Sequence, residues 1–543
     1  MRNLRARWLG RVPYAEAYDL QVALHDRSVD DYLLLLEHPH VYTLGTRADP
    51  AHVLVRPAQV GADLVLTDRG GDVTYHGPGQ LVGYPVVTLP EWRGGRADVV
   101  AYVRTLEQVL IDALSDFGVL AHVESGFTGV WVGDEKIAAI GVKVAGKRAR
   151  HGFALNVDPD LAMFRHIVPC GIHDRGVTSM ARVLGNAPPM PEVLDAVVRR
   201  TAEHLGFDAV DRQDVANSRR HREHLARDEE PGRRLIARLE GAGVAIPEPD
   251  PAFRRPPWMR VRADLGAGYR ETKRLMRDLD LHTVCEEAAC PNIYECWADR
   301  TATFMILGER CTRACGFCLV DTRHPLPLDG REPARVADAV AALALEHAVV
   351  TSVARDDLVD GGAAHFAATI AAIRDRTPRT TIEVLIPDCK GDADALDTIF
   401  AARPDVLNHN LETVARLQRA VRPNAGYARS LTVLARARDA GLVTKSGLIA
   451  GLGETDGEMQ SAITDLRNVG VEVLTVGQYL RPSPAHAPVV RWWTPTEFEA
   501  LKVFAERLGF AHVECGPLVR SSYHAKRAVK TAQLPHLDDV VSA

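Results

Sequence analysis

The rhythm of apolar positions changes near the middle of the chain, separating two halves of different architecture. From Thr303 onward, short apolar runs recur: T-F-M-I-L from Thr303, A-V-V-T-S-V from Ala348, I-E-V-L-I from Ile382, V-L-N-H-N from Val406, T-K-S-G-L-I from Thr444 and V-L-T-V-G-Q-Y from Val473. Their length and β-branched content suit buried strands. Ala- and Leu-rich helical stretches lie between them. Strands alternating with helices predict parallel βα units. Six such units predict a partial TIM-type (β/α)6 barrel, within a domain expected over 251–543. In such barrels the working loops follow the C-terminal ends of strands.

The first half has a mixed pattern. D-Y-L-L-L-L-E from Asp31 predicts a buried strand. R-G-G-D-V-T-Y-H-G-P-G-Q from Arg69 reads as a glycine-punctuated loop entering a strand, L-V-G-Y-P-V-V. G-V-W-V and K-I-A-A-I-G-V-K-V flank the turn Gly133-Asp134-Glu135, which predicts a hairpin. The stretch from Val99 has helical periodicity and ends at Gly118, a C-cap signal. A mixed α/β domain is expected over 1–210. Between the halves, 211–250 is dense in charge of both signs and then rich in proline, as linkers are. No internal repeat relates the halves.

Composition narrows the class. At 543 residues, 46% hydrophobic and 25% charged, the chain reads as a soluble globular protein of at least two domains. A net charge of −6 makes no electrostatic case for nucleic acid. No apolar run reaches membrane-spanning length; the Ala-rich stretch from Val336 is cut by Asp338 and Glu346. The N-terminus is basic but lacks the apolar core of a secretory signal. Nine cysteines without a small disulfide framework point to a reducing cytoplasm.

Six of those cysteines form two triplets. Cys285, Cys290 and Cys296 read C-x4-C-x5-C, and Cys311, Cys315 and Cys318 read C-x3-C-x2-C. Spacing alone leaves a zinc knuckle or a ferredoxin-like electron carrier open. Three thiolates also suit a [4Fe–4S] cluster with one iron left for a non-protein ligand. The loop holding the second triplet directly follows the first candidate strand, as the barrel rule requires. Cys389 and Cys515 stand outside both triplets and read as buried or incidental thiols.

The second triplet, in E-R-C-T-R-A-C-G-F-C-L-V, resembles the signature of radical S-adenosylmethionine (SAM) enzymes. With the first triplet upstream, the chain from about 256 to 530 resembles lipoyl synthase. T-S-V-A-R-D-D-L-V-D-G-G-A from Thr351, V-L-I-P-D ending at Asp388, V-L-N-H-N-L-E-T-V from Val406, K-S-G-L-I-A-G-L-G-E-T from Lys445 and R-S-S-Y-H-A from Arg520 follow the family's order. The resemblance implies two [4Fe–4S] clusters and SAM. It assigns the SAM cluster to Cys311, Cys315 and Cys318, and a sacrificial auxiliary cluster to Cys285, Cys290 and Cys296. Ser521, with Ser522 next, would be the weak fourth ligand of the auxiliary cluster. Asp357, Asn408 and Glu412 would contact SAM. An electron donor and an iron–sulfur carrier protein are the implied partners. A non-catalytic iron–sulfur module is the alternative.

In the first half, Cys170 stands alone in H-I-V-P-C-G-I. Its residue-level reading is a small buried thiol, and that of Lys136, beside a turn, is an exposed cation. The loop from Arg69, E-K-I-A-A-I-G-V-K-V, H-G-F-A-L-N and V-P-C-G-I together resemble lipoyl (octanoyl) transferase over about 8 to 205. That resemblance implies the biotin/lipoate ligase-like fold, with Cys170 carrying an acyl thioester, Lys136 tuning it and His76 assisting. It places Arg69, Gly70, Gly71, Asp72, Val73, Thr74, Tyr75 and His76, then Ala139, Ile140, Gly141, Gly152, Phe153 and Ala154, around the acyl site. Octanoyl-acyl carrier protein would be the donor. Lipoyl domains of 2-oxoacid dehydrogenases and the glycine cleavage H protein would be acceptors. Neither nucleic acid nor membrane is an expected partner. An ATP-dependent lipoate or biotin ligase is the alternative.

Overall fold

In the N-terminal unit, β2 (Asp31–Glu37) buries five consecutive side chains, Tyr32 to Leu36. A strand buries consecutive residues only when both faces of its sheet are covered. Here Leu33 and Leu35 join a core built with helices Val99–Ser115 and Met190–Leu205. Helix Tyr14–Arg27 packs against β6 (Gln80–Val86) and β9 (Arg148–Asn156). The computed structural model describes residues 1–91, 97–169, 175–215, 231–247, 255–260, 266–287, 290–298, 303–523 and 525. They fall into two units, Met1–Val215 and Ala216–Ala543. Cys170 and residues 171–174 lie outside the described residues.

The remaining strands of the N-terminal unit are β1 (Asn3–Arg11), β3 (Val41–Leu44), β4 (Asp63–Leu66), β5 (Val73–His76), β7 (Val130–Val132), β8 (Glu135–Ala145), β10 (Gly176–Val177) and β11 (Ala209–Asp214). The main sheet runs β10-β8-β9-β6-β2-β1-β11, with β7 added on β8, and β4-β3-β5 form a second sheet. The expected hairpin is present: Val132 pairs with Glu135 across Gly133 and Asp134, and Gly133 takes the left-handed φ of +55° such a turn demands. The glycine-rich stretch from Arg69 departs from a plain loop, because Val73–His76 is itself a strand, β5, paired with β3.

The C-terminal unit is one sheet in chain order: β12 (His282–Thr283), β13 (Thr303–Ile306), β14 (His347–Ser352), β15 (Thr381–Leu385), β16 (Val406–Asn408), β17 (Val443–Ala450), β18 (Val473–Gln478) and β19 (His512–Gly516). β12 runs antiparallel to β13; every pair from β13 to β19 is parallel. The six expected strands are there, and β19 adds a seventh. Among the described residues β19 does not pair with β12, so the barrel stays open. Among the described residues no helix is long and apolar enough to cross a membrane.

Two elements fall inside the stretch expected as a linker. β11 completes the first sheet by parallel pairing with β1. Helix Pro231–Gly241 packs within the C-terminal unit: Arg238 Nε donates to the Ala420 carbonyl (2.9 Å), and Arg416 Nη1 donates to that of Ala242 (2.6 Å). Leu235 is 3% exposed and lies on Gly316, where a Cβ would come within 2.7 Å of it. This helix therefore props the loop that carries the second cysteine triplet. Leu235→Ala is expected to cost about 2–5 kcal/mol. Urea unfolding should show the loss in the C-terminal unit's transition and leave the other unit's midpoint in place.

Candidate active sites

A cavity of about 570 Å3 opens in the N-terminal unit against β5, β8 and β9. Its walls include Arg69, Gly70, Gly71, Asp72, Thr74, His76, Lys136, Ala139, Ile140, Gly141, Gly152, Phe153 and Ala154. Val73 and Tyr75 are not among them. Strand alternation turns both to the other face of β5, into a core with Tyr42, Met163 and Phe164. The Arg69–Gly71 loop reaches the cavity by lying flat on β8: Gly70 N–H donates to the Val142 carbonyl (3.0 Å), and a Cβ on Gly141 would come within 2.8 Å of the Gly70 oxygen.

His76 sits at the end of a directed chain. Gln80 Nε2 donates to the Tyr75 carbonyl (3.2 Å) and to Asn156 Oδ1 (2.9 Å), whose own Nδ2 donates to the Thr178 carbonyl (3.0 Å). Gln80 Oε1 is thus left to accept from His76 Nδ1 (2.7 Å), which places the proton on Nδ1. Burial, and then His38 nearby, hold this imidazole well below its ordinary pKa. It is neutral at working pH, with Nε2 facing the Thr43 hydroxyl at 3.4 Å. Lys136 is buried on β8, its Nζ 4.8 Å from the Trp131 ring centroid, within cation–π reach.

Sequence reasoning passed over Asp68 and His151. His151 lines the cavity, has a left-handed φ of +58°, and its Nε2 lies 2.8 Å from Asp68 Oδ1. Burial opposes ionisation of Asp68, but Lys143, His151 and Arg150 together hold its carboxyl well below the usual range. Burial lowers His151 to about 4. The available signal was one charged residue heading R-G-G and one imidazole heading G-F-A-L-N.

In the C-terminal unit a cavity of about 600 Å3 lies at the C-terminal ends of the parallel strands. Cys285, Cys290, Cys311, Cys315, Cys318, Asn408, Glu412, Ser521 and Ser522 line it. Cys296 is not among the lining residues; it lies on helix Ile293–Ala298, its N–H donating to the Asn292 carbonyl (2.9 Å). Asn292 Nδ2 donates to the Leu518 carbonyl (2.7 Å), tying the first triplet to the R-S-S-Y segment. Asp357 is away from the cavity, because Arg355 clamps it with Nε and Nη2 (2.9 and 2.8 Å). Its neighbour Asp356 instead accepts from Arg313 Nε (2.7 Å), and Arg313 Nη2 reaches Asp388 (2.6 Å), anchoring the second triplet to the loops after β14 and β15. His486, also unforeseen, contacts the Cys318 carbonyl through Nε2 at 2.9 Å.

The donor set fits iron–sulfur clusters. Burial pushes Cys285 to about 11 and Cys318 to about 12, and raises Cys290 and Cys315, a cost that a bound cation would offset. Backbone N–H groups of Arg313 and Ala354 point at Cys311 Sγ (3.4 and 3.3 Å), donors such clusters use. Among the described residues no three His, Cys, Asp or Glu converge as a single ion needs.

The cavity floor is the buried pair Lys445–Glu383, with Nζ 2.9 and 3.0 Å from the two carboxylate oxygens and Asn408 Nδ2 adding a third contact (3.1 Å).

Comparisons with known proteins agree with this division. Residues 13–202 match the model described as the lipoyl protein ligase A/B catalytic domain. Residues 239–290 match the N-terminal domain of lipoyl synthase, and 305–466 the radical SAM superfamily. Lipoyl synthase of Rubrobacter xylanophilus is 58% identical over 281 residues, 51% of this chain and 88% of that protein. Lipoyl synthase of Mycobacterium ulcerans is 54% identical over 56% of this chain and 92% of its own length. Among solved structures, a putative lipoate protein ligase from T. acidophilum is 19% identical (TM-score 0.33), covering 39% of this chain and 88% of that one. A lipoate-protein ligase A bound with ATP is 20% identical with the same coverages (TM-score 0.34).

A pH dependence follows from the floor. Burial alone would raise Glu383, but Lys445 and His347 bring it to about 2, below the ordinary 4.5. A folded value below the unfolded one means stability present above about pH 4.5 and lost as pH falls towards 2. Lys445→Met alone is expected to cost about 3–5 kcal/mol, and the Lys445→Met/Glu383→Gln pair less. The double variant's C-terminal unit should also show a flatter acid limb in urea titrations across that window.

Proposed function

The chain belongs to the lipoyl synthase family, and we propose that it makes protein-bound lipoyl groups in two consecutive reactions. The N-terminal unit transfers octanoyl from octanoyl-acyl carrier protein to a lysine of a lipoyl domain. The C-terminal unit then inserts two sulfurs into that octanoyl group. The observation that carries this reading is the union in one chain of a lipoyl protein ligase A/B catalytic domain and the lipoyl synthase and radical SAM domains. The product of the first activity is the substrate of the second.

In the first reaction Cys170 thiolate displaces the carrier's thiol and holds the octanoyl group as a thioester. The acceptor lysine amine then attacks that carbonyl, forming the amide and releasing Cys170. Lys136, held against Trp131, stabilises the thiolate. Neutral His76 lines the cavity, with Nδ1 held by Gln80 and Nε2 facing the Thr43 hydroxyl.

In the second reaction Cys311, Cys315 and Cys318 would hold the SAM cluster, and Cys285, Cys290 and Cys296 with Ser521 the auxiliary one. When bound, these clusters would supply the electron that cleaves SAM and the sulfur that replaces hydrogen on the octanoyl chain. Glu412 and Asn408, which line the cavity, are the SAM contacts of this reading. Asp357, the third expected SAM contact, is held by Arg355. An electron donor and an iron–sulfur carrier serve this unit, in a compartment reducing enough to keep the thiols free. The domain model is of the A/B type, so an ATP-dependent ligase is the second reading for the N-terminal unit.

Without ATP, octanoyl-acyl carrier protein is expected to leave a hydroxylamine-sensitive octanoyl adduct that Cys170→Ser abolishes. Lys136→Ala should slow both half-reactions, since a thiol with a pKa of about 8.5 is only a few per cent ionised at neutral pH. A strict ATP requirement would favour the ligase. Anaerobically reconstituted protein should approach two [4Fe–4S] clusters per chain, and Cys315→Ala should abolish SAM cleavage while keeping the auxiliary cluster. Zinc without labile sulfide contradicts the radical reading.

A further inference from the structure

The segment after β16 brings one further residue to the two triplets. Asn410 is 7% exposed and lies between Glu412 and Ser521. Its Nδ2 donates to Ser521 Oγ (2.7 Å) and to Glu412 Oε1 (3.1 Å), one hydrogen to each. A carboxylate only accepts, which fixes which end of the amide faces it.

The backbone beneath is clamped. Arg422 Nη1 donates to the carbonyls of Asn410 (3.2 Å) and Leu411 (3.0 Å), and Ser446 Oγ receives the Leu411 N–H (3.1 Å). β17 leaves room for the amide only because Gly447 has no side chain; a Cβ there would come within 2.8 Å of Asn410 Oδ1. Glu412, Arg520 and Ser521 line the same cavity as Cys285, Cys290, Cys315 and Cys318.

We propose that Asn410 is a positioning residue that aims Ser521 Oγ at the auxiliary cluster and sets how firmly that oxygen is held by iron. The inference rests on the assignment of the auxiliary cluster made above. Serine binds iron as an alkoxide, its hydroxyl proton passing to solvent, with no change of oxidation state. An N–H donated into that oxygen stabilises the anion more than the neutral hydroxyl, so it favours the bound form. Outer partners of this kind alter metal affinity or activity about 10–100-fold when removed. The contact spans 111 residues of sequence, which is why it is invisible in the motif order.

The test uses the full chain, reconstituted anaerobically with 57Fe, as Asn410→Ala and as Asn410→Asp, which keeps the shape but loses the donor. Both should retain iron and sulfide for two clusters. Both should lose or shift the Mössbauer component of the oxygen-ligated iron. The ratio of lipoyl product to deoxyadenosine should fall about tenfold or more. Ser521→Ala should show the same spectral change, and adding Asn410→Ala to it should change little, since the two act as one unit. An unaltered Mössbauer spectrum and product ratio in both variants would overturn the proposal. So would loss of both clusters in both variants with retention in Ser521→Ala, which makes Asn410 part of the scaffold. If the parent chain itself fails to load a second cluster, the fault lies with the cluster assignment and not with Asn410.

Discussion

Parallel strands that follow one another in chain order all end at the same edge, and the C-terminal unit depends on that constraint. It gathers the loop after β13 with Cys311, Cys315 and Cys318, the loop after β16 with Asn410 and Glu412, and the segment after β19 with Ser521 around one cavity. The first triplet precedes the parallel strands and needs its own tether, which Asn292 supplies by bonding to the Leu518 carbonyl. The far side of the cavity is closed by charge: Lys445 and Glu383 are each 1% exposed. Such a pair is costly to break, because either partner alone would be an uncompensated buried charge. The cavity thus has a polar floor and a rim of cysteine thiols.

The N-terminal unit reaches a comparable cavity by another route. Its main sheet is largely antiparallel around β6, β9 and β8, and the site forms where the Arg69–Gly71 loop presses on β8. Close backbone approach through Gly70 and Gly141 does the work that strand ends do in the other unit. Polar groups there are ordered by a hydrogen-bond chain that starts at the Thr178 carbonyl and ends on His76 Nδ1, so the imidazole's proton is placed by the backbone.

Much of this was legible in the chain. The six barrel strands read clearly because a sheet covered on both faces demands continuous apolar runs, and the hairpin because Gly133 announces its turn. β11 did not read as a strand: its sequence V-D-R-Q-D is that of an edge strand, paired on one side and polar. β5 was hidden by the glycines around it, so the alternation that removes Val73 and Tyr75 from the cavity was missed. Asp357 looked like a ligand because it sits at a strand end, yet Arg355 two residues earlier already holds it. Asn410, Arg313 and His486 act through partners dozens to hundreds of residues away, and a single sequence carries no mark of such pairs. Helix Pro231–Gly241 resembles a linker in sequence because its charges dominate, while Leu235 and Leu239 are its buried core residues.

The most direct test of the account is to follow the mass of one lipoyl domain through both reactions in one anaerobic vessel. The purified chain would receive the apo domain, octanoyl-acyl carrier protein, SAM and a reductant, with no ATP. The account requires the octanoylated domain to appear first, and the dithiolane form to follow from it with deoxyadenosine released. A domain that gains no octanoyl group without ATP, or an octanoylated domain that never gains sulfur while both clusters are present, would contradict it.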